Sequence, residues 1–453
     1  MSVGSKLRCT ALFAMGCVAV ALCLGLAAPA ANALPSYARQ TGQQCAACHN
    51  GFPELTPYGR LFKLNAYTFG GGQSELPPLA AMIVTDFTHT QVGQTGGAAP
   101  HYGPNNNFAV PDAASIFYGG RILGDYGLGA FAQATYDNIG RTFGWDNTDI
   151  RWAHATTING DETVFGVSLN NNPTVTDVWN TTPAWRYPFV SSSLAPTPAA
   201  ATILEGTYAQ QVAGLNAYGF WKRLVYVELG GYTTLTKGAD QALGQGIGSD
   251  SFKGIAPYWR VALQPLWGPN SLEIGTFGMA ANINPGRVTG FSTDHKTDLG
   301  VDLQYQYLTD EHSASAQVSY ISEHQHLDST FAQGASSFLN DDLHSFNAKA
   351  TYYYEQTYGA TLAYSRIQGS GDPTLYAGSS PVTGSPNSDW WTLEADYMPF
   401  NRGGPDFWPW LNMKIGLQYI WYTKFNGATN NYDGNGRNAS DNNTLFAFVW
   451  FAF

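Results

Sequence analysis

Cys45, Cys48 and His49 are the residues of this chain whose types and spacing carry chemistry. They stand in the run RQTGQQCAACHNGFPELTPYGRLFKLN as C-x-x-C-H. Two thiols three positions apart can each add to a vinyl group of one porphyrin. The histidine that comes next then places an imidazole on the iron. The run therefore reads as a covalent attachment site for a single haem c, with His49 as an axial ligand. Cys45 and Cys48 are also the only cysteines beyond residue 23. A bare C-x-x-C suits a thiol redox pair or half a zinc site as well. A redox pair has no need of His49, and a zinc site needs further ligands close by.

Met82, His89 and His101 come soon enough after the motif to reach the second axial position. Met82 is the candidate sixth ligand, and methionine ligation raises the potential relative to two histidines. The rival readings are that all three are ordinary strand or surface residues, or that the position is open. Arg39, Arg60 and Lys63 are candidates to pair with the carboxylates of the porphyrin, against the reading that each is simply solvated.

A small segment, 34–78, must position these groups. Thr56 is a helix cap with Pro57 at the first helical position. Tyr58, Leu61, Phe62 and Asn65 then share one face, with Phe69 beyond, and that face is expected to cover the haem. Gly70-Gly71-Gly72 reads as a hinge. So short a segment cannot bury a haem alone, so it must lean on the remainder of the chain.

Residues 1–33 read as a secretory signal. Lys6 and Arg8 form a basic start, Leu12 to Leu26 is apolar, and Ala31-Asn32-Ala33 fits cleavage after Ala33. An uncleaved membrane anchor is the rival reading. Export suits a motif that is loaded with haem outside the bacterial cytoplasm. No second apolar run is long enough for a membrane helix. Charged residues are 12% of the chain, aromatics 14%, and glycines number 50, a composition for many strands joined by polar turns. The formal charge of the 453 residues is −11, and removing a leader with two basic and no acidic residues makes it more negative. Nucleic acid is thereby excluded as a partner.

From Leu79 onward, the hydrophobic period is two. Leu299, Val301, Leu303 and Tyr305 alternate with Asp298, Asp302, Gln304 and Gln306. Ile415, Leu417, Tyr419 and Trp421 alternate with Lys414, Gly416 and Gln418. Such runs occur near 79–91, 114–123, 127–137, 149–158, 162–170, 206–220, 223–233, 257–267, 270–279, 295–307, 311–324, 343–354, 358–369, 389–399, 409–424 and 443–453. Their connections are short on one side and mostly long on the other. That asymmetry, with both ends on the short-turn side, predicts an all-β fold: a 16-stranded antiparallel transmembrane barrel over 79–453, carrying a partly helical haem segment at its N-terminus.

The last run ends Leu445, Ala447, Val449, Phe451, Phe453, and its other face carries Phe446, Phe448 and Trp450. That second face is too apolar for a wet lumen and implies an apolar occupant. A soluble sandwich or propeller would explain neither this nor the loop asymmetry. The run 173–189, rich in proline and tryptophan, suggests an ordered loop able to fold inward. Alternation turns Glu228, Glu273, Asp298, Asp302, Glu394 and Asp396 toward the lumen. They read either as a funnel for hard cations such as Fe(II) or as a pore wall balanced by Arg121, Arg151, Arg260, Lys349 and Lys414. His324 and His326 form a weak metal-binding signal. No nucleophile elbow or phosphate loop is present, so bond-breaking catalysis is not expected.

Together, these features resemble the fused monohaem cytochrome–porins. The resemblance is specific around ARQTGQQCAACHNGFPELTPYGRLFKLN and architectural in the barrel. It implies electron transfer at the outer membrane, from an extracellular donor such as Fe(II) to a periplasmic c-type cytochrome or other soluble carrier, without bond-breaking chemistry. Two rivals are a solute porin with the haem segment as plug or sensor, and a peroxidase-like haem with an open position.

Overall fold

Sixteen antiparallel strands close into one barrel in the computed structural model, which describes residues 35–70, 77–404 and 410–453. The expected leader, two glycines of the expected hinge and part of the last short connection lie outside those residues. Each strand pairs with the next, and the first, Leu79–Thr90, closes on the last, Thr444–Ala452, from Met82↔Ala452 to Thr90↔Thr444. The eighth strand, Ala256–Leu263, is extended by two-residue ladders at Ser251–Phe252 and Leu266–Trp267. Pro265 interrupts it there, because proline has no N–H to give the ladder.

Alternation decides which face each residue takes. Along Asp294–Leu308, Leu299 and Val301 are 54% and 52% exposed on the outside, while Asp298 and Asp302 are 2% and 4% exposed inside. Leu215, Leu229, Ile274, Leu393 and Leu417 continue the exposed apolar belt. Tyr358 stacks on Tyr397 near the short turns, and Trp391 on Trp421 toward the long loops. A closed ladder within an apolar belt edged by aromatic rings is a membrane-spanning barrel. No described helix is long and apolar enough to cross a membrane.

Three strands begin more than five residues from where the period predicts. The second starts at Asn107 rather than 114, because Pro111 sits in a bulge opposite Thr85. The fourth starts at Thr142 rather than 149, because Asp146 and Asn147 bulge where the register shifts between Ala132 and Ala134. A bulge breaks the alternation by one residue. The sixth starts at Val212 rather than 206, because Ile203–Thr207 forms a helical turn.

The lumen is occupied. The N-terminal segment packs inside the short-turn half as three short helices, Pro35–Thr41, Cys45–Cys48 and Pro57–Leu64. Glu54 reaches Lys349, Gln306 and Ser315 on the wall, Gly51 N donates to Gln356, and Ala46 N donates to the Asn401 carbonyl. From the other side, the connection 171–211 folds inward as expected. Residues 172–182 are all buried, and Trp179 donates through Nε1 to Gln264 Oε1 at 2.7 Å. Phe446, Phe448 and Trp450 face this filling, with Phe52 edge-on to Trp450 at 4.6 Å.

Candidate functional site

Cys45–Cys48 forms one helical turn, closed by His49 N donating to Cys45 O at 2.8 Å. His49 leaves that turn in extended conformation and bridges to Leu55. Its imidazole is buried, and Nδ1 lies 2.9 Å from the Pro53 carbonyl oxygen. Burial lowers its pKa to about 4, against the opposing pull of the Pro53 and Glu54 backbone. The ring is therefore neutral at pH 7. With Nδ1–H given to a carbonyl, the lone pair lies on Nε2. A metal-ligating histidine has this tautomer and is oriented by this kind of backbone contact.

Both thiols are buried, and Asn412 Nδ2 lies 3.2 Å from Cys45 Sγ. Burial pushes Cys48 up to about 12 and Cys45 well above the ordinary thiol range. A working redox pair needs a depressed, accessible thiol, so that reading of C-x-x-C does not suit this environment. The described residues contain no cluster of three or more His, Cys, Asp or Glu able to hold a metal ion.

The helix Pro57–Leu64 is capped as expected, with Thr56 Oγ1 accepting from Gly59 N at 3.3 Å. The face it turns toward the motif is different. Gly59, Phe62 and Lys63 line the space beside Cys48 and His49, while Tyr58 is 39% exposed. Leu61, Asn65 and Phe69 instead line a separate cavity at the short-turn mouth. The reason is steric: only the glycine face can approach the Cys48 carbonyl.

Beside Cys48 and His49 lies a cavity of about 320 Å³, at the lower end of the roughly 300–1,000 Å³ of an ordinary ligand pocket. Tyr37, Phe52, Phe62, Phe117, Phe131 and Trp450 are among its apolar lining residues, and Lys63, Gln133, Asp146, Asn147, Asp177, Asn180 and Arg186 are among its polar ones. Three buried donors among its lining residues have no hydrogen-bond partner: Tyr37 Oη, Trp450 Nε1 and Arg186 Nη1. The aromatic rings, the ligand-ready imidazole, Cys48 and the unpartnered donors suit a porphyrin with its iron and carboxylates, whereas Cys45 is not among the lining residues and packs with Ala38, Phe400 and Met413.

Met82 lines this cavity. His89 does not; it bonds Asn106 on the exposed surface, and His101 is exposed too. Of the three cations read as carboxylate partners, only Lys63 lines the cavity, and its Nζ donates to the Val175 and Asp177 carbonyls, both at 2.7 Å. Arg60 points to the wall, toward Gln264, Ser271, Gln304 and Gln306. Arg39 lies over the Trp410 ring and donates to Leu79 O.

The lumenal carboxylates are buried as the alternation requires, but they do not form a funnel for cations. Arg260 pairs with Asp177, Glu273 and Asp302, and Lys414 with Glu394 and Asp396. Glu228 accepts from Asn216 and Tyr226, and Asp298 from Leu204 N. Such groups are internal partners of the filling and the wall. His324 and His326 point outward, to Asp342 and to Asn340 and Asp328.

The alternation missed the cavity wall. Phe117, Phe131, Asp146, Asn147, Trp185, Arg186 and Phe189 come from distant parts of the chain. Two signals were legible: the aromatic inner face of the last strand, and the 173–189 run as a loop able to fold inward.

No known protein family matches the sequence, and no curated protein matches it. Among solved structures, OmpT, an outer membrane protein of Vibrio cholerae, aligns at TM-score 0.41 and 11% identity over 83% of this chain and 96% of its own. An anion-selective porin from Comamonas acidovorans aligns at 0.43 and 12%, over 83% and 98%. The outer membrane channel DcaP of Acinetobacter baumannii aligns at 0.42 and 12%, over 83% and 96%. At these values, the likeness adds nothing to the barrel read from the strand pairings.

Proposed function

We propose that this chain is a monohaem c-type cytochrome built into an outer-membrane barrel, passing single electrons from an extracellular donor, with Fe(II) the expected one, to periplasmic carriers such as a soluble c-type cytochrome. The observation that carries the reading is the aromatic cavity bounded by Cys48 and His49 within the lumen. A bound haem supplies a one-electron iron couple whose potential depends on its axial ligands and burial. Cys45 and Cys48 would hold it covalently, and His49 would ligate iron through Nε2, oriented by Pro53. Met82 is the candidate second ligand. Phe52, Phe62, Phe131 and Trp450 keep water from the site, and the barrel carries the site into a hydrocarbon layer about 25 Å tall.

The test is oxidation of external Fe(II) by liposomes that hold the protein in their wall and an oxidant inside. The native chain oxidises it, and Cys48→Ala and His49→Ala do not. A second reading, a solute porin with the segment as plug, draws on the strand count, since sixteen-stranded porins leave an aqueous channel. It predicts that ions or sugars cross these liposomes while external Fe(II) stays reduced.

A further inference from the structure

The inward loop 171–211 is anchored in the lumen by Asp177, whose Oδ1 lies 3.0 Å from Arg260 Nη1. Nine residues on, Arg186 N donates to Thr182 O at 3.0 Å, which turns the Arg186 side chain into the cavity beside Lys63 and Trp185. One arm of its guanidinium is held: Nη2 binds Glu205, which also accepts from Ser345. The other arm, Nη1, is buried and has no partner. A buried N–H on a charged group is costly to leave unmade, and such an atom calls for an explanation.

The position of that atom supplies one. The cavity that Arg186 lines also holds His49, aromatic rings and other polar side chains. An apolar macrocycle with carboxylates on one edge needs both kinds of lining. Arginine presents a planar fork that matches a carboxylate, and here Glu205 already orients the fork. Lys63 lines the same space, but its ammonium donates to two backbone carbonyls, and neither Arg39 nor Arg60 lines it.

We propose that Arg186 of the inward loop is the residue that binds the carboxylate edge of the group attached at Cys45 and Cys48, so that the loop and the N-terminal segment grip one cofactor from opposite ends of the lumen. This rests on the haem reading above. Arg186 is a binding residue, and it makes a loop otherwise without chemistry part of the site.

The test uses the full chain matured with haem, in its native form and as Arg186→Gln and Arg186→Lys, each titrated for midpoint potential between pH 5 and pH 9. Loss of a cation beside the carboxylates favours the oxidised iron. In Arg186→Gln, the oxidised-to-reduced ratio at fixed potential rises about tenfold, which is about 59 mV for one electron. The pH-dependent part of its titration also moves to higher pH. Arg186→Lys restores most of both. An Arg186→Gln protein with the native potential and pH profile overturns the assignment. Should Arg186→Gln fail to assemble, resonance Raman bands of the carboxylate side chains decide: they shift in Arg186→Lys, and unchanged bands overturn it. A native chain that matures without covalent haem defeats the underlying reading instead.

Discussion

Gly59 lies against Cys48 so closely that a Cβ at position 59 would come within 2.3 Å of the Cys48 carbonyl oxygen. That approach turns Phe62 and Lys63, rather than Tyr58, toward the cavity. Gly59→Ala is expected to push the helix off the motif at a cost of about 1–3 kcal/mol. Thermal loss of the haem absorption band in detergent reads the effect as a lower midpoint. Gly219→Ala, where an added Cβ meets nothing within 4 Å, should leave the midpoint unchanged.

The segment is pinned to the wall through Glu54 and Lys349, which are 1% and 7% exposed. Lys349→Met leaves a buried carboxylate without its cation, a loss of about 3–5 kcal/mol. The segment should then become cleavable by protease in an otherwise assembled barrel. Adding Glu54→Gln should restore most of the protection. Equal cleavage of single and double variants would show that the pair does not hold the segment.

The same pair sets a pH limit. Burial alone would raise Glu54, but Lys349, with Gln306 and Asn50, outweighs it and holds the carboxyl below the usual range. A folded-state value below the unfolded one gives stability that is fully present above the unfolded value, about 4.3. That stability is lost as pH falls through the folded value. Protection of the segment should stay flat from neutral pH down to about 4.3 and fall below it. Glu54→Gln should flatten this acid limb, and an unchanged limb would assign it to other groups.

Met82 faces the cavity from the first strand, whereas His89 and His101 do not. Met82→Leu should convert a six-coordinate low-spin spectrum into one with a high-spin, CO-binding fraction. His89→Ala and His101→Ala should leave the spectrum as it is. A low-spin spectrum unchanged in Met82→Leu removes Met82 from the ligand set.

Much of this architecture is legible in the amino-acid order, for a physical reason. Each barrel strand meets lipid on one face and protein on the other, so Leu299 and Asp298 must alternate. Where a bulge intervenes, at Pro111 or at Asp146 and Asn147, the period fails and the strand start is misplaced. Cys45, Cys48 and His49 are legible because attachment chemistry needs them contiguous. The cavity wall has no such local constraint. Tyr37, Phe131, Arg186 and Trp450 meet only because the barrel closes and the 171–211 loop folds in. Arg60 and Lys63 look like carboxylate partners by proximity in the chain, and the fold directs them to the wall and to the loop backbone instead.

The most direct test is the visible spectrum of the mature chain purified from the outer membrane, recorded through a reductive titration after acid–acetone extraction. One haem per chain is expected, resistant to extraction, six-coordinate and low-spin, and lost entirely in Cys45→Ala/Cys48→Ala. A colourless mature barrel, or a haem that extracts freely, would contradict it.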